Sequence, residues 1–328
     1  MAMVPHFPHV EALCVSKDKS GRALPDDVVV YQQGRLYGVF DGATSLTGQT
    51  IGGLSTGRFA ALQCALAAQN FVLTRPPSEF SCLQLLQSMG SHLSAALRAK
   101  GVAGVQAATT AALALDAGDT LHFLLVGDSG VRINGSEQVQ VHKPVDAIFT
   151  AARVALFKRA MASPSVAPDD WISLELRTRQ TIALGMGVAL SEEVLQHLSC
   201  TVSDQLRHLL APDAVEQIPT LLAQGISKGQ PPYMNRPDHS LGYAVLDGNR
   251  VQGPDLLVFS RPRAEVDSLE FFTDGYMATG AEPTVASWEA AWLAVETKDP
   301  FKIGPFAHIK CSTPHDFWDD RTVLIVRS

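Results

Sequence analysis

The stretch DVVVYQQGRLYGVFDG at 27–42 decides the fold of this chain. Val28 to Tyr31 is β-branched and aromatic, and Leu36 to Phe40 is a second apolar run. The spacing predicts two β segments around a turn at Gln33-Gly34. A sharp turn at Asp41-Gly42 follows, leaving a carboxylate at the end of the second strand.

Outward from that hairpin, residues 52–70 read as a helix, with Phe59, Leu62, Ala65 and Leu66 at helical spacing. A second helix is expected over 79–99, where Leu83, Leu86, Leu93 and Leu97 form a stripe and Gly101 provides a stop. AATTAALAL and TLHFLLV, separated by Ala117-Gly118-Asp119, predict another hairpin within 107–133. The tight turn Gly127-Asp128-Ser129-Gly130 leads into Val131-Arg132-Ile133, and Val139 to Val141 extends the meander. The stretch 146–230 reads as helix-rich, and 229–240 as a Pro-punctuated loop. Strands are expected again at 241–246, 255–259 and 267–272, then a helix at 286–297 and a last strand from Thr322 to Val326. Helices and strands mix without a regular βαβ alternation, which predicts an α+β layered fold with antiparallel sheets.

Hydrophobic residues make up 46% of the chain and charged ones 18%, enough apolar content for a real core. The net charge of −7 speaks against a nucleic-acid partner, which would call for a basic patch. No apolar run approaches membrane-spanning length, so no membrane is expected. The start of the chain lacks a secretory pattern. Cys14, Cys64, Cys82, Cys200 and Cys311 are scattered and odd in number, arguing against a disulfide framework or thiolate zinc site. They read as small buried hydrophobes. Together these features predict a cytoplasmic protein.

Asp41, Asp274 and Asp319 share one context: each borders a strongly apolar strand. An isolated Asp-Gly is ordinarily a turn and nothing more. Three carboxylates gathered at one sheet edge would repel unless protonated or bound to cations. Such an oxygen-rich cluster suits Mg²⁺ or Mn²⁺.

PDD at 25–27, VFDG at 39–42, GDSG at 127–130, TDGY at 273–276 and DDRT at 319–322 occur in this order, with Thr109-Thr110-Ala111 ahead of GDSG. The ordered set resembles the type-2C (PPM-type) metal-dependent serine/threonine protein phosphatase family over essentially the whole chain. The resemblance implies a four-layer α-β-β-α sandwich of two mostly antiparallel sheets flanked by helices. It implies one domain over 1–328; the stretch between GDSG and TDGY is long for the family, so a helix-rich cap or flap is expected at about 146–240, carrying substrate selectivity, with a regulatory contact or plain structural padding as the alternatives. It also implies Mn²⁺ or Mg²⁺, two ions, as cofactor. Asp41 resembles the carboxylate bridging them, with the Gly42 carbonyl and Asp27 on the second ion and Asp274 and Asp319 on the first. Asp128 resembles a ligand of an additional ion in some members, and Arg22 a phosphate-binding arginine. The implied reaction is removal of phosphate from phosphoserine or phosphothreonine in a phosphorylated protein substrate, by attack of a metal-bridging water. Asp41, Asp274 and Asp319 would act through that water.

Three departures stand out. Many members have His just after the first Asp-Gly, able to protonate the leaving oxygen; here Ala43-Thr44 follows. His239 and His315 are substitutes by residue type alone. Ala278 stands where members often have an acidic residue, which argues against a third ion. GDSG replaces the commoner G-D-S-R, with Arg132 two residues further on. The alternative reading is a catalytically weak or inactive relative that binds a phosphoprotein or partner.

Overall fold

Two five-stranded antiparallel sheets are present in the computed structural model, which describes residues 7–44, 48–163 and 170–328. In chain order the elements are β1 (His9–Val15), β2 (Val28–Gln32), β3 (Leu36–Gly42), β4 (Thr50–Ile51), β5 (Leu54–Ser55), α1 (Thr56–Leu73) and α2 (Cys82–Ala99). Then come β6 (Thr109–Asp116), β7 (Thr120–Val126), β8 (Gly130–Ile133), β9 (Glu137–Val139), α3 (Pro144–Met161), α4 (Trp171–Leu184) and α5 (Met186–Ala189). The remainder are α6 (Glu192–Leu206), α7 (Pro212–Glu216), α8 (Ile218–Gly229), β10 (Leu256–Pro262), β11 (Ser268–Phe272), α9 (Val285–Lys298) and β12 (Arg321–Arg327).

One sheet has the order β10-β7-β6-β3-β2 and the other β1-β12-β11-β8-β9. The alternation of side chains along each strand explains the layering. Leu36 and Phe40 of β3 join a core with Phe59, Ala61, Phe71, Leu85 and Leu93 of α1 and α2. Tyr37 and Val39 point the other way, into a core shared with Phe123, Val131, Phe271 and Leu324. β6 is buried along its whole length, because Leu113 and Leu115 face the helices while Ala112 and Ala114 face the second sheet. That two-sided burial is why TTAALALD is almost continuously apolar. On the far side of the second sheet, Trp288 of α9 packs on Phe272 with ring centroids 5.0 Å apart. The α-β-β-α layering expected from the motif set is thus present.

The described residues divide into two compact units. The sandwich belongs to the first, Met1–His142, Ala244–Ala294 and His315–Ser328. The second, Lys143–Tyr243 with Val295–Pro314, contains α3 to α8. Inside it lies a fully buried Arg153–Glu175 ion pair. Arg153 donates to the Phe301 and Lys302 carbonyls at 2.7 and 2.9 Å, and Glu175 accepts from the Cys311 amide at 2.9 Å.

Three details depart from expectation. Residues 241–246 form isolated bridges, not a strand. The Tyr243 carbonyl accepts from the Asn235 amide and the Tyr243 amide donates to the Tyr233 carbonyl, both in the Pro-rich loop, while Leu246 and Thr109 exchange backbone bonds. The segment is buried, so its apolar pattern looks strand-like, but its backbone pairing is confined to a bridge from Tyr243 to the Pro-rich loop and one from Leu246 to the first residue of β6. β1 carries no prior signal: its partner β12 lies at the opposite end of the sequence. Of the five cysteines, all free, Cys14 and Cys200 are exposed and only the other three are buried.

Candidate metal centre

Asp41 is the next-to-last residue of β3, in register with Thr110 of β6. The Thr109 hydroxyl donates to the Asp41 carbonyl at 2.7 Å, fixing the strand end. Gly42 is required by contact: a Cβ there would lie 2.6 Å from the Asp26 carbonyl and from the backbone of Gly57. The sequence expectation was a tight turn permitted by glycine. Close backbone approach between the β3 end and the start of α1 is the reason instead.

Asp128 lies in the β7–β8 turn, buried at 6% exposure. Gly127 before it has φ +79°, and a Cβ would meet Thr110 Cγ2 at 2.6 Å. Both the backbone region and the space demand glycine. The Thr110 and Ser129 hydroxyls sit 2.8 Å apart, tying the turn to β6. Asp274 follows β11, and the next residue, Gly275, has the Asp320 carbonyl 2.0 Å from where a Cβ would stand. The TDG turn is therefore pressed directly onto the start of β12.

These elements bring carboxylates together. Oxygens of Asp41, Asp128 and Asp274 lie within 4.8 Å of one another, and so do those of Asp274 and Asp319. Asp27, at 1% exposure, joins from the lead-in to β2, where its Oδ2 accepts from the Thr273 hydroxyl at 2.9 Å. Burial, followed by Asp274, Asp27, Asp128 and Asp319, holds the Asp41 carboxyl well above the usual carboxylate range. Burial, then Asp320, pushes Asp27 up to about 7 despite its Thr273 bond. A crowd of carboxylates raises its own proton affinity because each added charge repels the rest.

A second group stands beside these, and sequence reasoning missed its organiser. Lys17 places its ammonium 3.3 Å from Asp26, 3.4 Å from Asp320 and 3.0 Å from the Thr44 hydroxyl. Burial alone would lower this lysine, but Asp319, Asp320 and Asp26 together raise it above its ordinary value. Asp320 also accepts from the Lys17 amide at 2.6 Å and the Asp26 amide at 2.8 Å. Asp26 accepts further from Ser55, the residue that caps α1. The only sequence signal for this arrangement was the doubled acid at 26–27 and at 319–320.

The remaining candidates have surroundings of their own. Arg22 lies exposed in a loop held by Asp18, whose carboxylate accepts from the amides of Ser20, Arg22 and Ala23 at 2.8, 3.1 and 2.8 Å. His315 is exposed, and His239 packs on Tyr233 and accepts from the Leu241 amide. Arg132 faces away from the carboxylates. Its guanidinium pairs with buried Glu270 and stands 5.3 Å from the Trp288 ring centroid, on the α9 side of the sheet.

The donor set fits hard divalent cations. Its atoms are carboxylate oxygens, the preferred ligands of Mg²⁺ and Mn²⁺. Asp27 Oδ1 is buried and makes no hydrogen bond of good geometry. The lysine is committed to the outer pair Asp26 and Asp320.

Fold and site together define an α-β-β-α sandwich with an acidic, cation-suited cluster at the strand ends. No family model and no curated protein matches the chain. Among solved structures it is similar to the Mycobacterium tuberculosis serine/threonine phosphatase PstP/Ppp, at 15% identity and a TM-score of 0.45, over 97% of this chain and 98% of that one. The catalytic domain of PstP in complex with 2 manganese ions matches at 15% identity and TM-score 0.45, over 97% of each chain. Stp1 from Staphylococcus aureus matches at 11% identity and TM-score 0.45, over 98% of this chain and 95% of that one. Likeness at this level fixes neither activity nor ligands, so the functional reading rests on the carboxylates.

Proposed function

We propose that this chain is a metal-dependent phosphoester hydrolase of the type-2C kind, acting on phosphoserine or phosphothreonine in proteins. The observation that carries the reading is the convergence of Asp41, Asp128 and Asp274, with Asp319 beside Asp274. Mutual repulsion in such a cluster is relieved by cations. A purely structural turn would need none of these acids so close together.

In this reading Asp41, Asp274, Asp319, Asp27 and the Gly42 carbonyl hold two Mn²⁺ or Mg²⁺ ions, and Asp128 adds a carboxylate on the Asp41–Asp274 side. When bound, such ions lower the pKa of coordinated water and neutralise charge on phosphoryl oxygens. The protein's own contribution is placement. Thr109, Thr110 and Ser129 fix the β3 end and the Asp128 turn; Gly275 lets the Asp274 turn press on β12. Lys17 and Asp320 hold Asp26, and so the lead-in carrying Asp27. Arg22, on its Asp18-held loop, would meet the phosphate.

The test is hydrolysis of an aryl phosphate with EDTA, Mg²⁺ or Mn²⁺, in wild type and Asp274→Asn. Turnover that needs the dication and is lost in the variant supports the enzyme. Equal, negligible turnover in every condition would sink it and favour a phosphoprotein-binding relative, the reading to which Ala43-Thr44 in place of His lends weight. A phosphopeptide panel then tests protein as the substrate.

A further inference from the structure

Phosphate monoester hydrolysis joins phosphorus to a water oxygen and breaks the bond to the leaving oxygen. That oxygen keeps the electron pair and takes a proton derived from the water. When the leaving group is a serine or threonine alkoxide, a hydrogen-bond donor on that oxygen matters greatly; with a nitrophenolate it matters little. The usual donor is missing here, since Ala43 follows Gly42.

The Lys17 ammonium has three N–H donors. Its three neighbours, Asp26 at 3.3 Å, Asp320 at 3.4 Å and Thr44 Oγ1 at 3.0 Å, use all of them. Lys17 therefore has no N–H left for a ligand. Thr44 Oγ1 accepts one of these bonds, so its own proton points away from the lysine. Thr44 is exposed, three residues after Asp41 and anchored through the Ala43 amide, which donates to the Ala108 carbonyl at 3.0 Å. A hydroxyl that accepts from a cation is a better donor through its own O–H. The ammonium itself is immobilised: Asp320 is fixed by two backbone amides, and Asp26 by Ser55.

The geometry points to Thr44 as the residue that hydrogen-bonds the leaving oxygen, with Lys17 as the positioning residue that orients and polarises its hydroxyl. The inference rests on the hydrolase reading above and names the donor that replaces the absent histidine.

The experiment compares kcat/KM for a phosphoserine peptide and for 4-nitrophenyl phosphate, both with Mn²⁺, in wild type, Thr44→Val, Thr44→Ser and Lys17→Met. Thr44→Val is nearly isosteric at an exposed position, so it leaves the fold intact. It is expected to slow the peptide about 10- to 100-fold while changing the nitrophenyl ester less than about threefold. Thr44→Ser should restore most of the loss, and Lys17→Met, which also strips the buried Asp26 and Asp320 of their cation, should lower both substrates but the peptide by the larger factor. A purely structural role would lower both substrates by the same factor. An equal fall on both, or no fall on either, overturns the inference while leaving the hydrolase standing. Absence of Mn²⁺-stimulated turnover in wild type on both substrates overturns the hydrolase reading itself.

Discussion

Asp320 grips Lys17 at two points, the backbone amide at 2.6 Å and the ammonium at 3.4 Å. The same carboxylate accepts from the Asp26 amide, so one buried side chain ties the lead-in of β2 to the start of β12. Asp320→Ala leaves two amides and a cation without their acceptor in a buried setting. The expected loss is about 2–4 kcal/mol, since each unsatisfied buried donor costs about 1–3 kcal/mol and part is recovered by water. A urea midpoint that does not move would contradict this.

Dications are expected to raise the melting temperature of the EDTA-treated protein, because a ligand that binds only the folded state stabilises it by mass action. The effect should grow from pH 6 to pH 8. With the Asp27 carboxyl pushed up to about 7, protons compete with the cation below that value, and affinity falls as pH falls through it. Differential scanning fluorimetry with Mn²⁺ at both pH values measures it. Asp41→Asn should abolish the shift, and a larger shift at pH 6 would run against the prediction.

Arg132→Met is predicted to destabilise the fold without weakening dication binding. Removing this guanidinium strands Glu270, which is fully buried and otherwise keeps only the Trp288 indole N–H at 2.7 Å. Breaking one side of such a pair costs about 3–5 kcal/mol. Paired denaturation and calorimetric titration would separate the two effects. Lost Mn²⁺ affinity at unchanged stability would place Arg132 at the site after all.

Gly275→Ala should separate the Asp274 turn from β12, because its methyl would overlap the Asp320 carbonyl. Backbone must move, so Mn²⁺ affinity is expected to fall about tenfold or more, in line with the loss of a ligand's support. Isothermal titration gives the answer directly; unchanged affinity would mean the turn has room that its geometry denies.

The Asp18 carboxyl is held down to about 2 by the Ala23 amide first, then by Ser20. A depressed acid contributes stability that is complete above its unfolded value and is lost as pH falls through its folded value. The Arg22 loop should therefore stay ordered at pH 4 and loosen near pH 2. Carboxyl NMR titration reads this, and a midpoint at the ordinary 3.8 would show that the amides do not hold the loop.

The strands bearing Asp41, Asp128 and Asp274 were legible because each is a local event: an apolar run stopped by a glycine-containing turn. The hairpins β2–β3 and β6–β7 were legible for the same reason, since their pairing is set by neighbours in sequence. β1 was not, because its register is dictated by β12 and nothing near it in the chain. The 241–246 segment misled because burial alone makes a strand-like pattern, whatever the backbone does. Lys17 was invisible as a member of the site: one of the two lysines in SKDKS reads as surface, and only the fold brings it between Asp26 and the distant Asp320. Arg132 could be placed on a strand but not on a face, and its face excludes it from the carboxylates.

The bonds that gather the aspartates span long stretches of chain: 303 residues from Lys17 to Asp320, 294 from Asp26 to Asp320 and 246 from Asp27 to Thr273. Closing such loops is slow compared with winding α1 and α2 or zipping the local hairpins. On refolding, helical signal should return well before dication affinity does. The centre is thus a late product of folding, and a cation that binds it would act as a latch on the completed sandwich and not as a template for building it.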